Sequence, residues 1–262
     1  MSGKVVTGER VTTPEGGFNP TWQRHVAAYR GAAALLDAAG VAADATVLDV
    51  GCGIGHSFTE LAPRPTIGVD LDAGALAGQD RETHVADMRA LPFADGSFDA
   101  LVAIQSIEHV PDADRALAEF ARVLRPGGTA VLVTPNRLTF ARPDEIIDPY
   151  HYVEYDAQQL HAACAPFFGG GVEVVGLFGS DRYRALVDAE KAKLDRLLAK
   201  DPLRLRRLVP RRAKMVLYDR RLTAERRRDP DPRAAEITPQ DFHVGREDVD
   251  AALDVVAICR RA

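Results

Sequence analysis

Apolar residues along this chain come in short unbroken runs that end in glycine or an acid, with stretches of helical spacing between them. Residues 46–50 (TVLDV) form the first run and empty into Gly51-Cys52-Gly53-Ile54-Gly55. Further runs at 65–69, 83–86 and 98–104 end in Asp70, in Asp87-Met88 and in Gln105. Short apolar runs bounded by turn formers predict buried strands. Segments 57–62 and 73–79 read as short helices between them, so the expected sheet is parallel and covered on both faces. The alternation continues with a helix over 111–124, entered through Pro111-Asp112 and stopped by Pro126-Gly127-Gly128. A fifth strand over 129–134, a helix over 156–165, a strand over 172–178 and a last strand over 252–259 follow. Ahead of the sheet, residues 5–20 read as an irregular leader. Trp22, Val26, Tyr29, Ala33 and Leu36 then recur at helical spacing and predict a helix over 21–39, with Gly40 as its C-cap.

The glycines after the first strand mark a place where backbone approaches a ligand closely, because a Cβ there would block both a positive-φ turn and the contact. A dinucleotide fingerprint would put its third glycine at position 56, but that residue is His and the glycine comes at 55. The spacing speaks against NAD or FAD. With Asp49 just before the loop, it suits a ligand without phosphate groups, whose ribose and amino-acid portions lie along the backbone. Asp70, about 20 residues past the loop, stands where a carboxylate accepts hydrogen bonds from ribose hydroxyls. Strand ends at one edge of a parallel sheet form the ligand crevice. Asp49, Gly51, Cys52, Gly53, Gly55, Asp70, Leu71, Asp87, Met88 and Gln105 are therefore the candidate cofactor-binding residues.

Six blocks in this order, VLDVGCGIG (47–55), GVD (68–70), AD (86–87), LPFADGSFD (91–99), IEHV (107–110) and VLRPGG (123–128), carry a resemblance to the class I S-adenosylmethionine-dependent methyltransferases, in particular the methyltransferase type 11 family. The resemblance implies an α/β, Rossmann-like fold: a seven-stranded, mostly parallel sheet of order 3-2-1-4-5-7-6 whose last strand is antiparallel. It implies S-adenosyl-L-methionine as cofactor, with Asp87 meeting the adenine amine and Met88 offering its backbone N–H to the ring. It also implies that Arg24 and His25, on the leading helix, offer cations to the cofactor carboxylate. A looser set is similar to methyltransferases acting on sugars and polysaccharides: Thr134-Pro135-Asn136-Arg137, Pro149-Tyr150-His151 with Glu154, residues 176–178 and 253–257, and the leader Thr7-Gly8-Glu9-Arg10 with Arg24-His25 and Tyr29.

Composition sets the outer bounds. A chain of 262 residues with 46% hydrophobic content and net charge −5 suits one globular domain with an insertion, or two small ones. The expected organisation is a leader and cofactor-closing helix over 1–40, a cofactor-binding core over 41–180, a basic helical insert over 181–250 and the last core strand over 251–262. From 181 to 228 there are 17 Lys and Arg against 7 Asp and Glu, a local charge of +10, which leaves 16 basic and 31 acidic residues elsewhere, or −15. Either a helical cap with a solvated basic face or a platform for an anionic substrate, nucleic acid or membrane surface would have this composition. Few aromatics interleave with the charges, only Tyr183 and Tyr218, which lowers the single-stranded nucleic-acid reading. Cys52, Cys164 and Cys259 contain no C-x-x-C spacing, so neither a disulfide framework nor a zinc cluster is expected, and no metal ligands are assigned. Without an apolar run of membrane-spanning length or an apolar signal segment, a cytoplasmic setting is expected.

Methyl transfer to a hydroxyl needs a base, and imidazole titrates in the right range. The candidates are His56, His84, His109, His151, His161 and His243. His151 leads because Glu154, three residues on, can orient its ring; His109, in the IEHV block, either braces the crevice or shares the chemistry. Three functions remain open from the sequence: methylation of a saccharide or other small-molecule hydroxyl, methylation of RNA through the basic insert, and a non-catalytic cofactor-binding module that regulates or scaffolds a partner.

Overall fold

A computed structural model describes residues 13–140, 145–201, 203–228 and 231–262; most of the leader, including Thr7-Gly8-Glu9-Arg10, lies outside the described residues. Eight strands form one sheet: β1 (Val47–Val50), β2 (Thr66–Asp70), β3 (Thr83–Val85), β4 (Phe98–Ile104), β5 (Leu124–Pro135), β6 (Val172–Gly179), β7 (Phe242–Gly245) and β8 (Asp254–Arg260). Their order is β3-β2-β1-β4-β5-β8-β6-β7. The helices are α1 (Asn19–Ala38), α2 (Ala73–Leu76), α3 (Ala113–Val123), α4 (Arg137–Phe140), α5 (Ala157–Cys164), α6 (Asp181–Leu198) and α7 (Arg211–Arg228).

Strands β1 to β5 run parallel, and β8 inserts antiparallel between β5 and β6. The α/β Rossmann-like class and the placement of the last strand agree with the sequence reading. The sheet carries one strand more than the seven expected. Residues 242–245, assigned in the sequence to the helical insert, pair antiparallel with β6 from Gly176↔Gly245 to Gly179↔Phe242. A four-residue run, Phe-His-Val-Gly, is too short to show alternation on its own. The ladder to β6 and burial of Phe242 make it a strand, and its shortness blunts the exposed edge.

Alternation along the strands divides the core into two layers. Val47, Ala100, Val102, Val131 and Val133 meet Tyr29, Leu35 and Leu36 of α1 together with Tyr183, Leu186 and Val187 of α6. Leu48, Val50, Leu101, Ala103 and Leu132 meet Leu117, Phe120 and Val123 of α3 with Leu160 and Cys164 of α5. Burial on both faces explains why the central runs read as continuous rather than alternating. The expected helix over 57–62 is a single 3-10 turn, Phe58–Leu61, and the one over 73–79 shortens to α2, where the Asp72 side chain accepts from Gly74 N at 2.9 Å.

The segment after β6 does not stand apart from the core. Beyond the α6 contacts, Asn19 at the start of α1 donates to the carbonyls of Ala234 and Ile237 at 2.8 and 2.9 Å, and Ile237 and Phe242 are buried beside Leu36. No helix among the described residues is long and apolar enough to cross a membrane. At the exit of β5, the fully buried Asn136 donates to the carbonyls of Ala252 at 2.9 Å and Asp250 at 3.0 Å, tying β5 to the turn that launches β8. Asn136→Ala removes both bonds, although the Thr139 hydroxyl still donates to the Ala252 carbonyl at 2.6 Å, and should cost about 1–3 kcal/mol. Urea denaturation should show the midpoint falling with an unchanged m-value.

Candidate functional site

The loop after β1 is built from glycines with positive φ: +74° at Gly51, +54° at Gly53 and +68° at Gly55. At Gly51 a Cβ would stand 2.4 Å from Ser106 Cβ, whereas at Gly53 it would meet nothing within 4 Å. The first glycine therefore admits β4's outgoing loop, and the second borders open space. Asp70, at the end of β2, accepts from Gly53 N at 2.8 Å and from Asp72 N at 2.9 Å, which fixes the carboxylate against the loop. Leu71 beside it is 71% exposed. Asp87 pairs with Arg89, Oδ2 to a guanidinium nitrogen at 2.6 Å, and these bonds hold its carboxyl below the usual range. Met88 lies near Gly51, its Cε 3.7 Å from where a Cβ would be.

Asp49 has a different place from the one its sequence position suggested. Its carboxylate is fully buried, and its two oxygens accept from Tyr29 Oη at 2.9 Å and from an Arg81 guanidinium nitrogen at 2.8 Å. Burial pushes its pKa up, against the pull of Arg81 and the two hydrogen bonds. Asp49, sealed from the crevice by complete burial, supports the loop from beneath. The Arg81 guanidinium also lies 4.3 Å over the Phe58 ring and passes Gly68, where a Cβ would stand 3.1 Å from its Cζ and 2.9 Å from Cys52 Sγ. Burial and the nearby Asp49 push the Cys52 thiol up to about 12, so this cysteine is a packing residue with an inert sulfur.

Arg24 likewise turns inward. Its Nε donates to Asp254 Oδ2 at 2.8 Å, and Gln105, with φ +50°, donates to Asp254 Oδ1 at 2.6 Å. Burial opposes the charge on Arg24, but Asp254 outweighs it and raises the pKa. The cation expected at a cofactor carboxylate is thus ion-paired to the start of β8. His25 neighbours His56, with ring centroids 5.8 Å apart. His56 stacks on Trp22 of α1 at 3.9 Å, and burial pushes its pKa down to about 4, leaving a neutral imidazole at physiological pH. Its Nε2 is buried without a protein partner. His56 had no place among the cofactor residues in the sequence reading, although it occupies the position of a dinucleotide motif's third glycine. The open space at Gly53 and the unpartnered His56 nitrogen fit a ligand lying along the loop between α1 and the sheet edge.

A second group lies where β4 and β5 end. Glu108 has no exposure; its Oε2 accepts from Thr134 Oγ1 at 3.0 Å, and its Oε1 is buried without a partner. Burial raises its pKa, while His109 and His151 counter the shift. The His109 and His151 rings are 5.1 Å apart, and His151 Nδ1 bonds Glu154 Oε1 at 2.9 Å, so the turn that Glu154 requires is present. The loop carrying His151 is clamped by α7. Arg211 donates to the carbonyls of Pro149 at 2.7 Å and Tyr150 at 3.0 Å and lies 3.4 Å over the Tyr152 ring, while Tyr150 and Tyr218 reach Asp219 and Asp148. Glu145 takes Arg206 and Arg207 in the same way. Part of the insert's positive charge is therefore spent within the protein. Sequence reasoning passed over the burial of Glu108, since nothing local distinguishes a buried acid from a solvated one, and it took Arg211 only as one of the insert's basic residues.

A Rossmann-like sheet with a glycine loop after its first strand and an acid closing the next is the architecture of proteins that bind a nucleoside cofactor at the strand ends. The Methyltransf_11 family, described as a methyltransferase domain, matches residues 48–132. A probable S-adenosylmethionine-dependent methyltransferase of Mycolicibacterium smegmatis is 30% identical over 267 residues, 98% of this chain and 95% of that protein. One of Mycobacterium tuberculosis is 36% identical over 189 residues, a match that spans 69% of this chain and 66% of that relative's length. A solved S-adenosylmethionine-dependent methyltransferase of Thermotoga maritima shares the fold, with TM-score 0.56 at 16% identity, covering 94% of this chain and 96% of that one. The chain belongs to the S-adenosylmethionine-dependent methyltransferases, and S-adenosylmethionine is its methyl donor.

Arg81→Met should strip Asp49 of its counter-ion within the core and cost about 3–5 kcal/mol, as removal of one member of a buried pair does. Thermal unfolding followed by circular dichroism checks this against the conservative Tyr29→Phe, which should cost about 1.5–3 kcal/mol.

Proposed function

We propose that this methyltransferase acts on a hydroxyl oxygen of a small polar acceptor of the saccharide type. The observation that carries this is the group Glu108, His109, His151 and Glu154, which sits at the crevice edge of β4 and β5 near the glycine loop. The cofactor supplies an already activated methyl group, so the protein's task is to align the acceptor oxygen and manage its proton. An alcohol is a poor nucleophile until that proton leaves. A Glu154 carboxylate has no proton to donate, so His151 Nδ1 carries the hydrogen of their bond, which puts the lone pair of the ring on Nε2 and makes it the acceptor's base. His109, whose Nδ1 donates to the Tyr150 carbonyl at 3.4 Å, holds the same loop from the other side.

Asp70 against Gly53 and the backbone at Asp87-Met88 are the positions we assign to the ribose and the adenine. His56, Trp22 and His25 line the opposite wall, and we assign them to the amino-acid end. Helix α7 and its Arg211 clamp shape the acceptor side. The engagement of Arg206, Arg207 and Arg211 with Glu145 and main-chain carbonyls favours a structural cover over a basic platform, which makes RNA the less favoured acceptor.

If this assignment is right, His151→Ala should lower kcat by about 10²- to 10⁴-fold on a hydroxyl acceptor while the affinity for S-adenosylhomocysteine stays within twofold. Screening oligosaccharides and small polar alcohols with labelled donor identifies the acceptor. Near-normal turnover of the variant, or transfer confined to amines, would contradict the reading.

A further inference from the structure

We infer that Glu108, His109 and His151 form a binding site for one divalent first-row transition-metal ion. The inference rests on the hydroxyl-acceptor reading for its chemical role but not for its existence. One donor atom from each of the three side chains lies within 4.8 Å of the others. Ligands about 2.0–2.2 Å from a shared ion stand about 3–3.5 Å apart, so small rotamer changes close this group around a cation.

Two further observations point to a cation. The Glu108 carboxyl is completely buried, and only one of its oxygens has a protein partner, the Thr134 hydroxyl. A carboxylate oxygen hidden from water with nothing to bond is costly, and an ion between it and two imidazoles removes that cost. The outer partners also match what metal ligands need. Glu154 accepts from His151 Nδ1, which makes Nε2 the nitrogen that would ligate, while Thr134 fixes the carboxylate. Two imidazoles and one carboxylate suit a first-row transition ion better than Mg²⁺ or Ca²⁺, which prefer all-oxygen shells. Three protein ligands leave positions open for an exogenous oxygen.

With the ion bound, the His151 lone pair goes to the metal, so the ion takes over from His151 the activation of the acceptor, whose hydroxyl binds at an open position. Coordination acidifies that hydroxyl; its O–H bond breaks and the proton passes to solvent. The freed oxygen forms a bond to the methyl carbon as the carbon–sulfur bond breaks, and the sulfur keeps the electron pair as a neutral thioether. No oxidation occurs.

The test strips the full-length protein with a chelator and titrates it with Mn²⁺, following free Mn²⁺ by electron paramagnetic resonance, and with Co²⁺, following its visible d–d bands. One equivalent per chain is expected. Glu108→Gln and, as a variant outside the buried carboxyl, His151→Ala should each weaken binding at least 100-fold. Glu154→Gln should weaken it about 10- to 100-fold, as loss of a ligand's outer partner does. S-adenosylhomocysteine affinity should be unchanged in all three, which also shows that they are folded. Absence of stoichiometric binding to the wild type, or wild-type affinity in Glu108→Gln, overturns the site. Full transfer to a hydroxyl acceptor by metal-free protein overturns the ion's part in the reaction, though not the site, and leaves His151 as the base. Stoichiometric binding without transfer to any hydroxyl supports the site and overturns the acceptor reading instead.

Discussion

The buried contact of Asp49 with Arg81 and Tyr29 is the constraint on which the glycine-loop edge of the sheet depends. It joins three elements at one point: the end of β1, the helix α1 that crosses it, and the segment leading into β3. Charges so deeply buried give little net stability, because desolvation offsets their attraction. What they supply is position. With both Asp49 oxygens occupied, the strand end and its glycine loop are fixed, and Gly68 has no Cβ because the guanidinium passes where one would lie. Asp70, one strand over, then fixes the loop from above through Gly53 N. The loop is held between two acids of different kinds, one sealed in the core and one at the crevice.

A second long-range pair does the same for the opposite side. Arg24 on α1 and Gln105 after β4 converge on Asp254 at the start of β8. The last strand of the chain is thereby tied to the first helix and to the loop that leads to Glu108 and His109. The insert completes the enclosure: α6 buries Tyr183, Leu186 and Val187 in the core, and α7 grips the loop carrying His151 through Arg211. Charge asymmetry in the sequence allowed either a helical cap or a surface for anions, and several of these arginines hold internal carboxylates and carbonyls.

Much of the architecture was legible because it rests on local signals. Apolar runs, the glycine spacing and the stop at Pro126-Gly127-Gly128 each depend on a few adjacent residues, and strands β1 to β6 and β8 follow from them. What could not be read depends on distant partners. Asp49 looked like a ligand-binding acid until Arg81 was found beneath it, and Arg24 looked like a free cation until Asp254 was found beside it. The strand at 242–245 exists only because β6 offers it an edge. His151 with Glu154 was readable, being three residues apart in one turn. The burial of Glu108 was not, since it depends on how β5 and the 148–155 loop close over it.

The central claim is that the loop held between Asp49 and Asp70 is the seat of the methyl donor. Calorimetric titration of S-adenosylhomocysteine into the wild type and into Gly53→Val tests it most directly. At Gly53 a Cβ meets no protein atom within 4 Å, so the substitution acts first on a ligand and on a positive-φ turn. The account predicts saturable one-to-one binding to the wild type and a loss of at least about 100-fold in the variant, beyond the roughly 1–2 kcal/mol of backbone strain alone. Equal affinity in the two proteins would contradict it.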